Sequence, residues 1–72
     1  MVIDDATLDN WFNYHSPTPE DQDAYAAIRS AGRNLAKTIV DCTPASADQS
    51  AAIRHVRDAV MSANAARACG GV

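Results

Sequence analysis

The fold is decided by residues 18–42, which read TPEDQDAYAAIRSAGRNLAKTIVDC. The start is typical of a helix, because Thr18 can cap it, Pro19 suits its first position and two acids favour the positive end of its dipole. Apolar residues then recur at steps of three and four, which places them on one helical face. They are Tyr25, Ile28, Leu35 and Ile39, with Gly32 in the same series. We therefore predict a first long helix over residues 19–42, ended by the approach to Pro44.

A second long helix is predicted over residues 46–68. Ser46 and Gln49 have the spacing of a capping box, in which each side chain satisfies a backbone group of the other residue. Apolar residues again recur at steps of three and four, at Ile53, Val56, Val60 and Ala63. Gly70 and Gly71 supply the usual stop. Because the join between the two helices is short, they should lie antiparallel as a hairpin.

Residues 1–18 form the remaining part of the chain. A short helix is expected over residues 6–12, followed by an extended segment over residues 13–18. Trp11 and Phe12 are expected to cover the apolar end of the hairpin. No strand-like alternation is present. The predicted fold class is therefore all-α, with a short N-terminal helix and a long antiparallel helical hairpin in one domain over residues 1–72.

The composition predicts self-association. Hydrophobic residues make up 47% of the 72 residues, but fifteen of them are alanines and only twelve are Leu, Ile, Val or Phe. A chain of this size gains about 3–5 kcal/mol from a single core. A two-helix hairpin cannot bury its apolar faces alone. We therefore expect the chain to assemble as a helical homo-oligomer.

Composition and charge also exclude several classes of protein. No run approaches the roughly 20 apolar residues of a membrane span, and the N-terminus has no signal-peptide pattern. Two cysteines outside any CxxC pattern predict free thiols and a cytoplasmic location. A net charge of −3 and a pI of about 4.9 argue against a binder of DNA or RNA polymers, which needs a large basic face.

Catalysis and metal binding have little support in the sequence. His15 and His55 have no Cys or Asp neighbour at the spacing of metal ligands. No Gly-rich phosphate loop and no paired-carboxylate motif is present. We predict no metal, no cofactor and no enzymatic activity.

A cationic stripe runs along the first long helix, at Arg29, Arg33 and Lys37. Steps of four place these side chains on one face, where they are either solvated or compensated by a partner. The partner is either the N-terminal segment, with six acids and no base over residues 1–25, or a phosphate-bearing ligand held by the arginine fork. Gly32 within the stripe permits close approach of another helix or of a flat ligand.

The segment before the first long helix holds most of the aromatic rings. Rings near arginine can stack on a nucleobase, at about 1–3 kcal/mol per base. Tyr14 and His15 lie outside the helical pattern and are the better ligand candidates, and Phe12 is a further one.

A second candidate site lies near the end of the second long helix. Asn64 and Arg67 are three residues apart and share a face. Either Asn64 is a buried residue that fixes the register of a helix interface, or the pair lines a second polar pocket.

Five stretches of the chain, in order, resemble a known family. They are FNYHSPT at 12–18, YAAIRSAGR at 25–33, CTP at 42–44, SADQSAAI at 46–53 and DAVMSANAA at 58–66. Together they look like the small phage anti-CBASS sponge proteins of the second type, over roughly residues 12–68.

The resemblance implies a compact homohexamer that binds cyclic oligonucleotide messengers of bacterial immunity without cleaving them, in the cytoplasm of the host cell. Cyclic dinucleotides such as 3′,3′-cGAMP would bind between protomers, and some members also bind cyclic trinucleotides at separate sites. In the family, an aromatic residue of the N-terminal segment stacks on a base and a basic residue of the first long helix meets a phosphate. The matching positions are Tyr14 and either Arg29 or Arg33.

Two other interpretations remain open at the level of sequence. The hairpin could be a protein-interaction module whose cationic stripe meets an acidic host protein. It could also be a phosphodiesterase that destroys the same messengers.

Overall fold

The computed structural model describes residues 2–71, which form three α-helices. They are α1 (Asp5–Phe12), α2 (Pro19–Cys42) and α3 (Ala47–Ala68). No strand occurs in the described part of the chain. The predicted fold class, a short N-terminal helix followed by a long helical hairpin, is confirmed. Within residues 2–71, no helix combines the length and the apolar character needed to cross a membrane.

Side chains close the N-terminal ends of the helices. The Asp4 carboxylate accepts from the Thr7 backbone N–H at 2.8 Å at the start of α1. At the start of α2 the bonds are reciprocal, because the Thr18 hydroxyl accepts from the Asp21 N–H at 3.1 Å and the Asp21 carboxylate accepts from the Thr18 N–H at 3.0 Å. The role predicted for Thr18 is confirmed.

The start of α3 differs in part from the prediction. The Ser46 hydroxyl accepts from the Gln49 N–H at 3.1 Å, as expected of a cap. The Gln49 side chain does not complete a capping box. Its amide instead donates to the Thr43 carbonyl and hydroxyl oxygens, both at 3.1 Å. Gln49 therefore fastens α3 to the turn that precedes it.

The C-terminal end of α3 is closed by two glycines. Gly70 and Gly71 have φ angles of +70° and +82°, in the region that favours glycine. The Gly71 N–H donates to the Ala66 carbonyl at 2.9 Å and the Gly70 N–H to the Arg67 carbonyl at 3.3 Å. This is the pattern of a Schellman motif, and it confirms the predicted stop.

The long helices are antiparallel. The beginning of α2 contacts the end of α3 through Asp21 and Arg67, and the end of α2 contacts the beginning of α3 through Val40 and Gln49. The two helices therefore run in opposite directions, which is the arrangement predicted from the short join.

Gly32 lies at a close approach of the two long helices. A Cβ atom at this position would lie 2.5 Å from Val60 Cγ2 and 3.9 Å from Val56 Cγ1. Close helix packing, rather than approach of a flat ligand, therefore accounts for this glycine.

The described part of the chain has no buried core of its own. No residue in it is fully buried, and the accessible surface of 5541 Å² exceeds the roughly 4,300 Å² expected of a folded monomer of this mass. The radius of gyration is 15.2 Å, against about 11 Å for a compact domain of this length. Phe12 is 83% exposed, so the expectation that it covers the hairpin end is wrong for the single chain, while Trp11 is 37% exposed. Both flanks of the long hairpin are therefore accessible to solvent.

An apolar groove of about 500 Å³ runs between α2 and α3 along one flank of the hairpin. Its lining includes Ile28, Ala31 and Leu35 of α2, Val56 and Ala59 of α3, and the ring of His55. No side chain of residues 2–71 fills it.

Candidate functional site

The segment between α1 and α2 presents an exposed aromatic ring. Residues 13–18 connect the two helices without helical structure of their own. Tyr14 is 85% exposed. Its ring is therefore accessible from solvent, and its role in binding a flat ligand stays a prediction.

His15 has a partner within the chain. Its Nε2 atom lies 2.6 Å from the Asn10 carbonyl oxygen, and the residue is half-buried. Because a carbonyl oxygen only accepts, Nε2 is the donor, and in the neutral ring Nδ1 is left as the acceptor. His15 is therefore held against the end of α1, whereas Tyr14 beside it points into solvent.

The three cations of the stripe have different surroundings. Lys37 Nζ lies 2.6 Å and 2.7 Å from the two carboxylate oxygens of Asp41, one turn further along α2. Arg29 and Arg33 make no ion pair within residues 2–71. Asp41 is a compensating partner that the sequence reasoning did not consider. Two arginines of the stripe remain for an external anion.

Arg33 and Lys37 lie on the side of α2 that is turned away from the apolar groove. Arg33 is two positions from both Ala31 and Leu35, which is about 200° around the helix. Lys37 is likewise two positions from Leu35. The predicted ligand residues therefore do not line the groove.

The two arginines are not equally close to the aromatic segment. Asn10 Nδ2 donates to the Cys69 carbonyl at 3.1 Å, which holds this segment at the end of α3, level with Asp21. At 1.5 Å per residue, Arg29 is about 12 Å along the α2 axis from Asp21, and Arg33 is about 18 Å. Along this axis Arg29 is thus the nearer of the two to the beginning of α2, which follows the segment that carries Tyr14.

The two residues of the second candidate site, Asn64 and Arg67, have different contacts. Arg67 Nε lies 2.9 Å from Asp21 Oδ1, which ties the end of α3 to the beginning of α2. Hydrogen bonding from the Thr18 backbone N–H is the main cause that lowers the pKa of Asp21 from its ordinary 3.8, and Arg67 adds to it. Asn64 Oδ1 is buried and has no donor among the described residues. Leaving a buried acceptor without a donor costs about 1–3 kcal/mol. Because this atom is not accessible on the surface of the chain, a donor from outside would reach it only after the surrounding side chains move.

Sequence reasoning missed Asn10. It links α1 to the C-terminal end of α3 across 59 residues, and no local pattern marks such a contact. Within residues 2–71, no group of three or more His, Cys, Asp or Glu side chains is arranged to hold a metal ion.

Comparison with protein-family models matches residues 4–68 to the Acb2/Tad1 hairpin domain. The chain belongs to the Acb2/Tad1 hairpin family. The match covers α2 and α3 entirely and α1 with its cap, and it confirms the resemblance to the anti-CBASS sponge proteins of the second type. Searches of curated proteins and of solved structures found no match.

Every predicted site residue lies within the region matched to the Acb2/Tad1 hairpin family. The exposed aromatic segment and the cationic stripe both belong to it, as does the pair formed by Asn64 and Arg67. The family fits a cyclic-nucleotide sponge role in general terms.

Proposed function

We propose that this Acb2/Tad1 hairpin protein is a phage immune-evasion sponge that binds cyclic dinucleotides such as 3′,3′-cGAMP. It holds them without cleaving them and thereby blocks CBASS-type signalling in the host cytoplasm. The observation that carries the proposal is the exposed Tyr14 ring beside a helix whose Arg29 and Arg33 make no ion pair in the described chain. The family match supports the same conclusion.

The bases and the phosphates of a cyclic dinucleotide suit the two kinds of predicted site residue, an aromatic ring and an arginine. A base stacks on Tyr14, and a phosphate takes the bidentate fork of an arginine. Arg29 is the preferred phosphate contact, because it is nearer to the aromatic segment than Arg33. Lys37 ranks lower, because Asp41 already compensates its charge. Phe12, the last residue of α1, offers a second exposed ring two positions before Tyr14.

We propose that the functional form is a homo-oligomer, with the hexamer as the expected state. The unfilled apolar groove supports this assignment. The surface in excess of a compact monomer is on the order of 1,200 Å², which exceeds the roughly 800 Å² that each partner buries in a standard interface. A second copy seated on the groove would cover Ile28, Leu35 and their neighbours.

A second class of ligand, a cyclic trinucleotide, is proposed for the surface of Asn64 and Arg67. The Arg67 side chain is 41% exposed and can meet a phosphate of the ligand there. Arg67 would have to share its guanidinium between the ligand and Asp21.

Thermal unfolding against a panel of cyclic and linear di- and trinucleotides tests the proposal. A ligand at 100 times its dissociation constant adds about 2.7 kcal/mol, which raises the melting temperature of a small domain by many degrees. Tyr14→Ala should reduce the shift, because about 1–3 kcal/mol of stacking is lost, and Tyr14→Phe should keep it, since the stacking ring remains. After denaturation, chromatography should return the ligand intact.

Each other outcome contradicts a definite part of the proposal. A linear product would make the protein a phosphodiesterase. A folded oligomer with no shift across the panel would favour the protein-interaction module. A shift that survives Tyr14→Ala together with Arg29→Ala would place the ligand elsewhere.

A further inference from the structure

We infer that Asn10 is a positioning residue that sets the place of Tyr14 by clamping the aromatic segment to the end of α3. This inference rests on the proposed function, in which Tyr14 stacks on a base. The clamp consists of Asn10, His15 and Cys69.

Three contacts meet at Asn10. Its side-chain Nδ2 donates to the Cys69 carbonyl oxygen at 3.1 Å. Its own carbonyl oxygen accepts from His15 Nε2 at 2.6 Å and, more weakly, from the Cys69 thiol at 3.9 Å. One residue of α1 therefore binds both the end of α3 and His15, the residue that directly follows Tyr14.

The Cys69 carbonyl is a firm anchor. Cys69 is the C-cap of α3, and its N–H donates to the Ala65 carbonyl at 2.9 Å. The two glycines that follow turn the chain away from the helix axis in the Schellman motif. Asn10 thus takes one of the carbonyl groups that a helix leaves without a partner at its C-terminal end.

The clamp matters because of where Tyr14 lies. The residue belongs to a segment without regular structure, and its ring is almost fully exposed. Without a tie at each end, the segment would sample many conformations, and a ligand would have to order it on binding. With Asn10 bound to Cys69 and His15 bound to Asn10, residues 10–15 form a closed loop, and Tyr14 lies next to the residue that closes it.

The contacts also give His15 a different role from that of a ligand residue. The Nε2–H group is used to close the loop. The half-buried ring lies against α1, on a residue adjacent to the exposed Tyr14. Loss of the His15 ring should therefore act on the ligand through the orientation of Tyr14.

The test compares Asn10→Ala with Asn13→Ala, a control that removes the exposed asparagine at the C-cap of α1, three residues further along the chain. The dissociation constant for 3′,3′-cGAMP is measured by calorimetry. Asn10→Ala should weaken binding by about 5- to 30-fold, the equilibrium effect of ordering roughly one residue. Asn13→Ala should bind as the natural protein does. His15→Ala should weaken binding and His15→Gln should restore part of it, since the glutamine amide nitrogen can reach the Asn10 carbonyl.

A double-mutant cycle distinguishes positioning from direct contact. If Asn10 acts through Tyr14, adding Asn10→Ala to Tyr14→Ala should cost no further affinity. A full additional loss in the Tyr14→Ala background would overturn the inference. Unchanged affinity of Asn10→Ala would overturn it as well.

A readout without ligand keeps the clamp testable if the proposed function fails. Backbone ¹⁵N order parameters of residues 10–16 should fall below about 0.6 in Asn10→Ala, because this variant frees the loop from the end of α3 while the Asn10 backbone carbonyl keeps its bond to His15, and they should stay near the rigid value in Asn13→Ala. Equal order parameters in the two variants would overturn the clamp, whatever the protein binds. If the natural protein binds no cyclic nucleotide, the proposed function is wrong while this measurement still decides whether Asn10 holds the segment.

Discussion

Arg29 and Lys37 lie two turns apart on one helical face, yet their side chains have different surroundings. Asp41 pairs with Lys37, whereas Arg29 makes no ion pair in the described chain. Arg29 can therefore contribute more free energy of binding to a ligand phosphate than Lys37 can. A hydrogen bond to a charged group contributes about 1.5–3 kcal/mol, while an exposed pair of the Lys37 kind contributes about 0.3–0.5 kcal/mol to the helix.

Arg29→Ala should therefore weaken binding of a cyclic dinucleotide by roughly 10- to 150-fold, and Lys37→Ala should leave it nearly unchanged. Calorimetry on the purified variants measures both. Arg29→Lys is the informative intermediate, because it keeps the charge and loses the bidentate fork. If Lys37→Ala proves as harmful as Arg29→Ala, the phosphate contact lies further along α2.

A pH dependence is expected from the helix caps. Hydrogen bonds from Thr7 lower the pKa of Asp4 from 3.8, and those from Thr18, with Arg67, lower that of Asp21. The folded state thus binds fewer protons than the unfolded state. The stabilisation is complete above the ordinary value of 3.8 and is lost as the pH falls through the lowered pKa values.

Urea unfolding between about pH 5 and pH 2 measures this loss. Asp21→Asn should flatten the pH dependence, because its amide oxygen can still cap while its charge is gone. Asp23→Asn, at an exposed carboxylate two residues away, is the control and should keep the slope of the natural protein. Equal slopes for all three proteins would mean that Asp21 makes no contribution to the pH dependence.

Local rules predict the residues that act within one turn of chain. Thr18, Ser46 and the two terminal glycines follow from capping chemistry, which involves neighbours in sequence. Contacts such as that between Asp21 and Arg67 join residues 46 positions apart. They depend on the register of the packed helices, which no short pattern contains.

At the scale of the helices, the packing of α2 on α3 depends on the missing side chain at Gly32. Alanine there would gain about 1 kcal/mol of helix propensity. Its Cβ would also lie 2.5 Å from Val60 Cγ2, and valine is stiff at χ1, so it cannot turn aside cheaply. Overpacking of this kind costs about 1–3 kcal/mol.

Gly32→Ala should therefore lower the free energy of unfolding by up to about 2 kcal/mol, as measured by urea denaturation. Adding Val60→Ala makes room for the new Cβ. The double variant should be more stable than the sum of the two single effects predicts. Additive effects would mean that the helices separate without strain and that close packing does not require a glycine at this position.

The bounds of α2 and α3 were predictable because periodic apolar residues and end signals agree for each helix. α1 was predictable as a helix but not in its placement. Its attachment to α3 uses the Asn10 amide and a backbone carbonyl of Cys69 rather than an apolar stripe. No sequence pattern marks which backbone carbonyl accepts such a bond. The Cys69 side of the clamp therefore cannot be predicted from the sequence.

At the scale of the whole molecule, the main feature is an apolar groove that no described residue fills. Leu35 lines the groove and is 54% exposed, while Val40, on the same helix, is 50% exposed and does not line it. These two residues form a matched pair. A charge at Leu35 would be desolvated if a second copy covered the groove, and uncompensated burial of a charge is strongly unfavourable.

Leu35→Asp should thus dissociate the oligomer, and Val40→Asp should leave it assembled. Native mass spectrometry or light scattering of both variants against the natural protein gives the subunit count. Dissociation by Val40→Asp with Leu35→Asp intact would move the interface to the flank of the arginines.

The lack of any fully buried residue across residues 2–71 links the stability of the protein to its abundance. If the apolar surface is covered only by other copies, folding and assembly become one reaction, and dilution favours unfolding much as heating does. Each newly made chain would then remain vulnerable to proteolysis until its concentration reaches a threshold. The onset of activity would be set by how fast the chain is synthesised rather than by the affinity of the assembled protein for a ligand.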